Sequence, residues 1–292
     1  AVAHGFALSF DFPADVAAAA EKDARQGIAD PGIKRVDRTD LCIFTIDPEE
    51  AKDHDDALSV VVLGRGRFEV GVHIADVSHF IPEAGPVDVE ALSRGTSVYL
   101  VDRTIPMLPE VLSSDVCSLR SDVERFTLSL FIELDGAGKI YGHRYERACV
   151  RSRGQFSYEQ VQGVLDGSVG ISKAIDEALR TLDDLARSLR KVRSDRGALD
   201  LNIPEAKVVL NEKGHPVDIQ RSQRLESHRL VEDFMILANE VVAADMETRE
   251  LSAIYRIHEP PMSESTKSLR ELLTKVGYKL PKGRSLKPKD LQ

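Results

Sequence analysis

Residues 41–77 read LCIFTIDPEEAKDHDDALSVVVLGRGRFEVGVHIADV, and the reading of this stretch decides the fold. LCIFTI is a β-branched, apolar run that ends at Asp47, ALSVVVL from Ala57 is a second, and FEVGVHIADV from Phe68 is a third. Such runs, bounded by turn residues, predict three strands. The GRGR at 64–67 is a glycine-punctuated turn that folds the second strand back onto the third. An acidic loop is left between the first strand and this hairpin.

Towards the N-terminus, an Ala-rich helix from Ala14 to Arg25 and a polar Pro/Gly connector form a lead-in over residues 1–39. Towards the C-terminus, TSVYLV, FTLSLFIEL and KIYGHRYERACVRSR are further strand candidates, the last two separated by the turn DGAG. After Tyr158 the period changes. Ile175, Leu179, Leu182, Ala186, Leu189 and Val192 fall on one face of a helix that runs to about Arg193, and its Arg-rich opposite face is expected to be solvated. A second long helix spans roughly Leu225 to Glu250 with Leu230, Phe234, Leu237 and Val241 on its apolar stripe, and a third runs from Ser265 to Val276, stopping at Gly277. Strands first and helices later predict a mixed α/β (α+β) class, a mixed β-sheet flanked by long helices.

With 292 residues, 42% of them hydrophobic, the chain can bury a substantial core. Its charge of −9 argues against nucleic-acid binding by bulk attraction, so any RNA contact must come from a local basic or stacking surface. Cys42, Cys117 and Cys149 are odd in number and lack CxxC spacing, which fits neither a disulfide frame nor a zinc site and points to a reducing cytoplasm. No apolar run is long enough to span a bilayer and the first twenty residues do not have the order of a signal peptide, so no membrane partner is expected. The start at Ala1 and the Lys/Pro-rich end PKGRSLKPKDLQ suggest a piece of a longer polypeptide.

Chemistry concentrates in TIDPEEAKDHDDAL, which places Asp47 at a strand end and Asp53, Asp55 and Asp56 within one turn of chain. Carboxylates this close raise the cost of ionising one another, and hard oxygen donors on a short loop suit Mg²⁺ or Mn²⁺ bound together with substrate phosphates. A calcium loop is excluded, because Leu58 or Lys52 stands where its glycine is required. A solvated acidic loop is the bland alternative; the rigid strand that carries Asp47 favours a site. His54 is expected to be a bystander. His73, Asp76 and His79 lie three apart on an extended segment and so point to opposite faces, which disfavours metal binding. Cys117 is expected to be a buried small hydrophobe, and His228 with Glu232, four apart on a helix, to form a pair.

At this point the sequence resembles the catalytic (RNB) domain of the ribonuclease II and ribonuclease R family, more the R type. The matching stretches are TIDPEEAKDHDDAL, VHIADVSHFI, SRGTSVYL, IPMLPEVLSSDVCSL, RGALDLNIPEAK, HRLVEDFMILAN and IYRIHEPP, in the family's order, over residues 40–292 almost continuously. The resemblance implies an RNB-type fold truncated at its C-terminal end, with residues 40–292 as the N-terminal part of the domain. It implies a monomeric, cytoplasmic enzyme that degrades single-stranded RNA from 3′ to 5′, releasing nucleoside 5′-monophosphates with Mg²⁺, for which Mn²⁺ can substitute. Asp47, Asp53, Asp55 and Asp56 match the catalytic, metal-binding aspartates, with Asp55 the acid whose loss hurts chemistry most. Tyr99 matches the tyrosine that stacks near the 3′-terminal base, Tyr158 a more distant aromatic contact to RNA, and Glu232 the acid at the terminal ribose.

The chain departs from the family pattern at Leu201, where some members carry a second stacking aromatic. The family's phosphate-clamping arginine and its flanking cold-shock and S1 barrels are expected in the parent polypeptide, outside residues 1–292. The expected function is thus a metal-dependent exoribonuclease. The alternative is a catalytically inactive RNA-binding or scaffold protein with the same fold.

Overall fold

The computed structural model describes residues 9–29, 33–201, 203, 205–257, 259–278, 280–281 and 286–291. Residues 1–8 and 30–32 of the expected lead-in, Asn202 and Pro204 of RGALDLNIPEAK, and His258 of IYRIHEPP lie outside the described residues. Among the described residues no helix is long and apolar enough to cross a membrane.

Helix α1 covers Ala14–Ala29, and the chain then enters β1 (Val36–Asp47), β2 (Asp56–Gly64) and β3 (Arg67–Ala75). A single-turn helix α2 (Val77–Phe80), α3 (Pro86–Arg94), the short pair β4 (Val98–Tyr99) and β5 (Thr104–Ile105), and a π-helical turn at Val111–Val116 follow. The long strands β6 (Glu124–Asp135) and β7 (Ile140–Ser157) lead into α4 (Tyr158–Leu165) and α5 (Lys173–Arg196). A separate hairpin, β8 (Glu205–Leu210) and β9 (Pro216–Ser222), precedes α6 (Glu226–Thr248) and α7 (Ser263–Lys275).

The expected mixed sheet is present, and it closes into a five-stranded barrel in the order β1-β2-β3-β6-β7. Closure comes from β1 lying parallel to β7, with Val36 opposite Ala148 and Asp47 opposite Ser157. All other neighbours are antiparallel. Closing the sheet removes the exposed strand edges that a five-stranded open sheet would present. The TSVYLV stretch contributes only two residues of strand, because Leu100 N donates to Arg103 O at 2.8 Å and turns the chain back at once.

Side-chain alternation sorts the barrel's two faces. Leu58, Val70, Val72, Leu130, Ile132 and Leu134 pack in one cluster with Leu179, Leu182, Leu185 and Phe234 of the long helices. The intervening residues face inward. There Ser59 Oγ stands 2.9 Å from His73 Nε2, and His73 Nδ1 stands 2.8 Å from Ser129 Oγ. Gly71 is required beside them, since a Cβ there would come within 2.4 Å of Ser59 Oγ. A second apolar cluster, with Val16, Ala20, Phe80, Leu112 and Leu119, seats α1 and the π-helical turn against the barrel.

The arginine face of α5 is solvated only in part: Arg180 and Arg187 are exposed, as expected, but Arg190 and Arg193 are engaged. Arg190 Nη2 donates to Asp233 of α6 at 2.8 Å, Arg193 pairs with the same carboxylate, and Arg190 Nη1 reaches Glu226 at 2.8 Å. Asp233 has only 1% of its side chain exposed, and a carboxylate buried that deeply requires paired cations.

Candidate active site

The last five residues of β1, Ile43 to Asp47, are all buried, so the carboxylate of Asp47 is delivered by a strand packed on both faces. Parallel pairing brings it beside Ser157 at the start of α4. The chain then leaves the barrel and returns at Asp56, which pairs with Ile74 of β3. The loop between them is tied down through its backbone. Ala75 N donates to Asp55 O at 2.9 Å, and Leu119 N donates to His54 O at 2.8 Å.

Asp47, Asp53 and Asp55 line a cavity of about 400 Å³, shared with Tyr99, Ser97, Met107, Leu108 and Cys117. Asp55 reaches solvent through this cavity, yet desolvation raises its carboxyl above the ordinary 3.8, and the charges of Asp53 and Asp47 add to the effect. Asp56 sits deeper and is pushed up to about 7, first by burial and then by Asp55 and Asp47. The structure brings Asp47, Asp53 and Asp55 onto one cavity, and Asp56 is not among the residues lining it. Burial and neighbouring negative charge both disfavour the ionised form of these carboxyls.

His54 is not a bystander. Its Nδ1 lies 2.6 Å from Asp47 Oδ2, and both side chains are 12% exposed. With Asp47 turned onto His54, no three His, Cys, Asp or Glu side chains among the described residues converge on a single point. That arrangement still fits Mg²⁺, which keeps several waters and is held by one or two carboxylates plus substrate phosphates. All four donors are hard oxygens, and three of them open on one cavity.

Tyr99 is 71% exposed and projects into that cavity, its hydroxyl raised by burial and then by the nearby charges of Asp53 and Asp55. Tyr158 does not line that cavity but lies near Asp47 and Asp56. Its hydroxyl is pushed up to about 12 by burial and then by Asp47 and Asp56, while its ring stacks on His228 at 3.9 Å and 14°. One ring face is thereby covered.

The aspartate cavity does not include Glu232. Its side chain lies in a second cavity of about 300 Å³, lined also by Arg190, Arg224, Arg229 and Leu201, and accepts from Arg224 Nη2 at 2.5 Å. Glu232, expected to pair with His228, is paired with Arg224, while the His228 ring stacks on Tyr158.

The remaining candidates behave structurally. His73 is fully buried among serines, Asp76 pairs with Arg35 at 2.8 Å, and His79 Nε2 stands 2.9 Å from Gly27 O. Cys117 is buried and its thiol is pushed up to about 12 by desolvation, which leaves it without nucleophilic character at neutral pH. Sequence reading missed the contacts of His54 and Arg224, because neither partner is signalled by a local motif.

Comparisons with known proteins bear on this geometry. The model of the RNB domain matches residues 35–291. Ribonuclease R 2 of Lactococcus lactis is 38% identical over 253 residues, which cover 84% of this chain and 38% of that protein. The structure of Mycoplasma genitalium RNase R in complex with ribose methylated single-stranded RNA superposes with a TM-score of 0.90 at 28% identity, covering 98% of this chain and 45% of that one. Yeast Ssd1, described as a pseudonuclease, shares the fold with a TM-score of 0.70 at 24% identity, covering 85% of this chain and 31% of that one. This chain spans less than half the length of each of these relatives. It belongs to the RNB-domain family.

Proposed function

We propose that this chain carries the metal-binding part of the active site of a 3′→5′ exoribonuclease that hydrolyses single-stranded RNA to nucleoside 5′-monophosphates. The observation that carries the reading is the cavity in which Tyr99 faces Asp47, Asp53 and Asp55. An aromatic platform beside hard carboxylates accommodates a terminal base and its phosphate together.

Mg²⁺, when bound by these carboxylates, supplies Lewis acidity for an in-line displacement at phosphorus. The chain's own residues prepare that step. Tyr99 holds the terminal base by stacking, and Met107 and Leu108 give the cavity an apolar wall that limits water. Asp53 and Asp55 present hard carboxylate oxygens to the cavity, where they would hold the cation. The rigid β1 fixes Asp47 at the cavity edge.

A second reading, an RNA-binding scaffold without activity, is favoured by one observation: Asp47 is engaged by His54 and no three ligating groups converge among the described residues. Fold alone does not separate the two. The test is incubation of a 3′-labelled oligoribonucleotide with the protein and Mg²⁺. Mononucleotide release that EDTA abolishes supports the nuclease; retained binding without release, also when the phosphate-clamping arginine is supplied, favours the scaffold.

A further inference from the structure

We infer that Ser118 is a positioning residue for the acidic loop, fixing the Asp53 and Asp55 carboxylates through two hydrogen bonds of one buried hydroxyl. Ser118 is 0% exposed, and it lies 64 residues from the loop it holds. Its Oγ accepts from His54 N at 3.2 Å and donates to Lys52 O at 3.0 Å. These two groups flank Asp53. The next residue extends the same contact, since Leu119 N donates to His54 O at 2.8 Å. Three backbone groups of residues 52–54 are thus held by two adjacent residues of another segment.

That segment is itself held in place. It follows the π-helical turn, in which Cys117 N donates to Leu112 O at 2.9 Å, and such turns recur at functional sites. Arg125 of β6 grips it from the far side: its Nε donates to Asp115 O at 3.2 Å and Ser118 O at 3.0 Å. Leu112 and Leu119 anchor it in the apolar cluster beneath α1. A chain of contacts therefore runs from the barrel wall through Arg125 and Ser118 to the loop. Acidic side chains that repel one another need a rigid backbone to stay together, and the hydroxyl supplies that rigidity where the loop departs from regular structure.

The inference rests on the reading of the aspartates as a divalent-cation site. Groups behind the ligands that orient them typically change metal affinity by about 10–100-fold when removed. Ser118→Ala is therefore expected to weaken Mn²⁺ binding to the full chain, measured by titration calorimetry, by roughly 10-fold or more. Ser129→Ala is the control, because its hydroxyl is equally buried and hydrogen-bonded but serves the barrel interior. It should lower thermal stability and leave Mn²⁺ affinity unchanged. Hydrogen exchange on the unaltered protein supplies the second measurement: Mn²⁺ should slow exchange at 52–56 and at 117–119 together.

Equal Mn²⁺ affinities for the unaltered protein and Ser118→Ala would overturn the inference, as would protection confined to the acidic loop. Should Ser118→Ala not fold, the exchange experiment alone decides. No Mn²⁺ binding by the unaltered protein would instead overturn the metal-site reading on which the inference depends.

Discussion

The imidazole of His54 stands 2.6 Å from the carboxylate of Asp47, a residue seven positions earlier that belongs to a different element. The pair joins the end of β1 to the middle of the acidic loop. One oxygen of Asp47 is oriented by the ring, which sets the direction in which the other can face the cavity. Removing the ring should let Asp47 sample several rotamers. We expect His54→Ala to weaken Mn²⁺ binding by about 10-fold, the lower end of what a lost orienting contact costs. Titration calorimetry checks it, and an unchanged affinity would show that the contact is incidental.

Asp55→Asn should separate binding from chemistry. The substitution removes a charge at the cavity edge, but leaves Tyr99 and the other carboxylates in place to hold RNA and a cation. Hydrolysis of a labelled oligoribonucleotide should be abolished while its affinity in a filter-binding titration stays nearly intact. Parallel loss of both would count against the role given to Asp55.

Tyr99→Ala acts on the substrate side. With 71% of the residue exposed, little packing is lost, so the effect should fall on RNA. Binding of the last nucleotides should weaken by about 1–3 kcal/mol, the worth of one base–aromatic stack, and the final product should lengthen. An unaltered end-product ladder on a denaturing gel would remove Tyr99 from the site.

Acid should destabilise the fold through His73. Burial depresses its pKa from 6.5 to about 3, so between those values the unfolded chain binds a proton that the folded chain does not. Stability contributed by the neutral ring is complete above pH 6.5 and is lost as pH falls towards 3, with a slope of up to about 1.4 kcal/mol per pH unit. His73→Gln should lower stability at pH 7 and flatten the dependence over this window. Urea titrations at a series of pH values measure both.

Asp233→Ala tests the helix clamp. It would leave Arg190 and Arg193 partly buried without their shared carboxylate. Breaking such a pair costs about 3–5 kcal/mol, and the loss should appear in urea unfolding without a change in Mn²⁺ affinity.

The elements were legible in the sequence where their signals are local. Three strands around the acidic loop, the long α5 and α6, and the nearness of Asp47 to Asp53 and Asp55, which share one cavity, follow from periodicity and spacing. Closure of the barrel was not, because the pairing of Val36 with Ala148 joins strands with no shared turn. The same limit explains His54: its environment is set by the end of β1 and by Ser118, and a one-dimensional pattern carries neither. Glu232 was legible as a helix-face acid, but its ion pair with Arg224 places it in another cavity. The stack of Tyr158 on His228 likewise depends on how α4 meets α6.

The parallel seam between β1 and β7 also orders events during synthesis. The seam's last pair, Asp47 with Ser157, cannot form until the ribosome has released the chain through the end of β7. Until then β1 has one unpaired edge, and Phe44 and Ile46, later 0% and 3% exposed, have no helices to cover them. Non-local pairing of this kind makes for slow, aggregation-exposed folding, so nascent chains arrested before residue 157 should be the ones that engage chaperones.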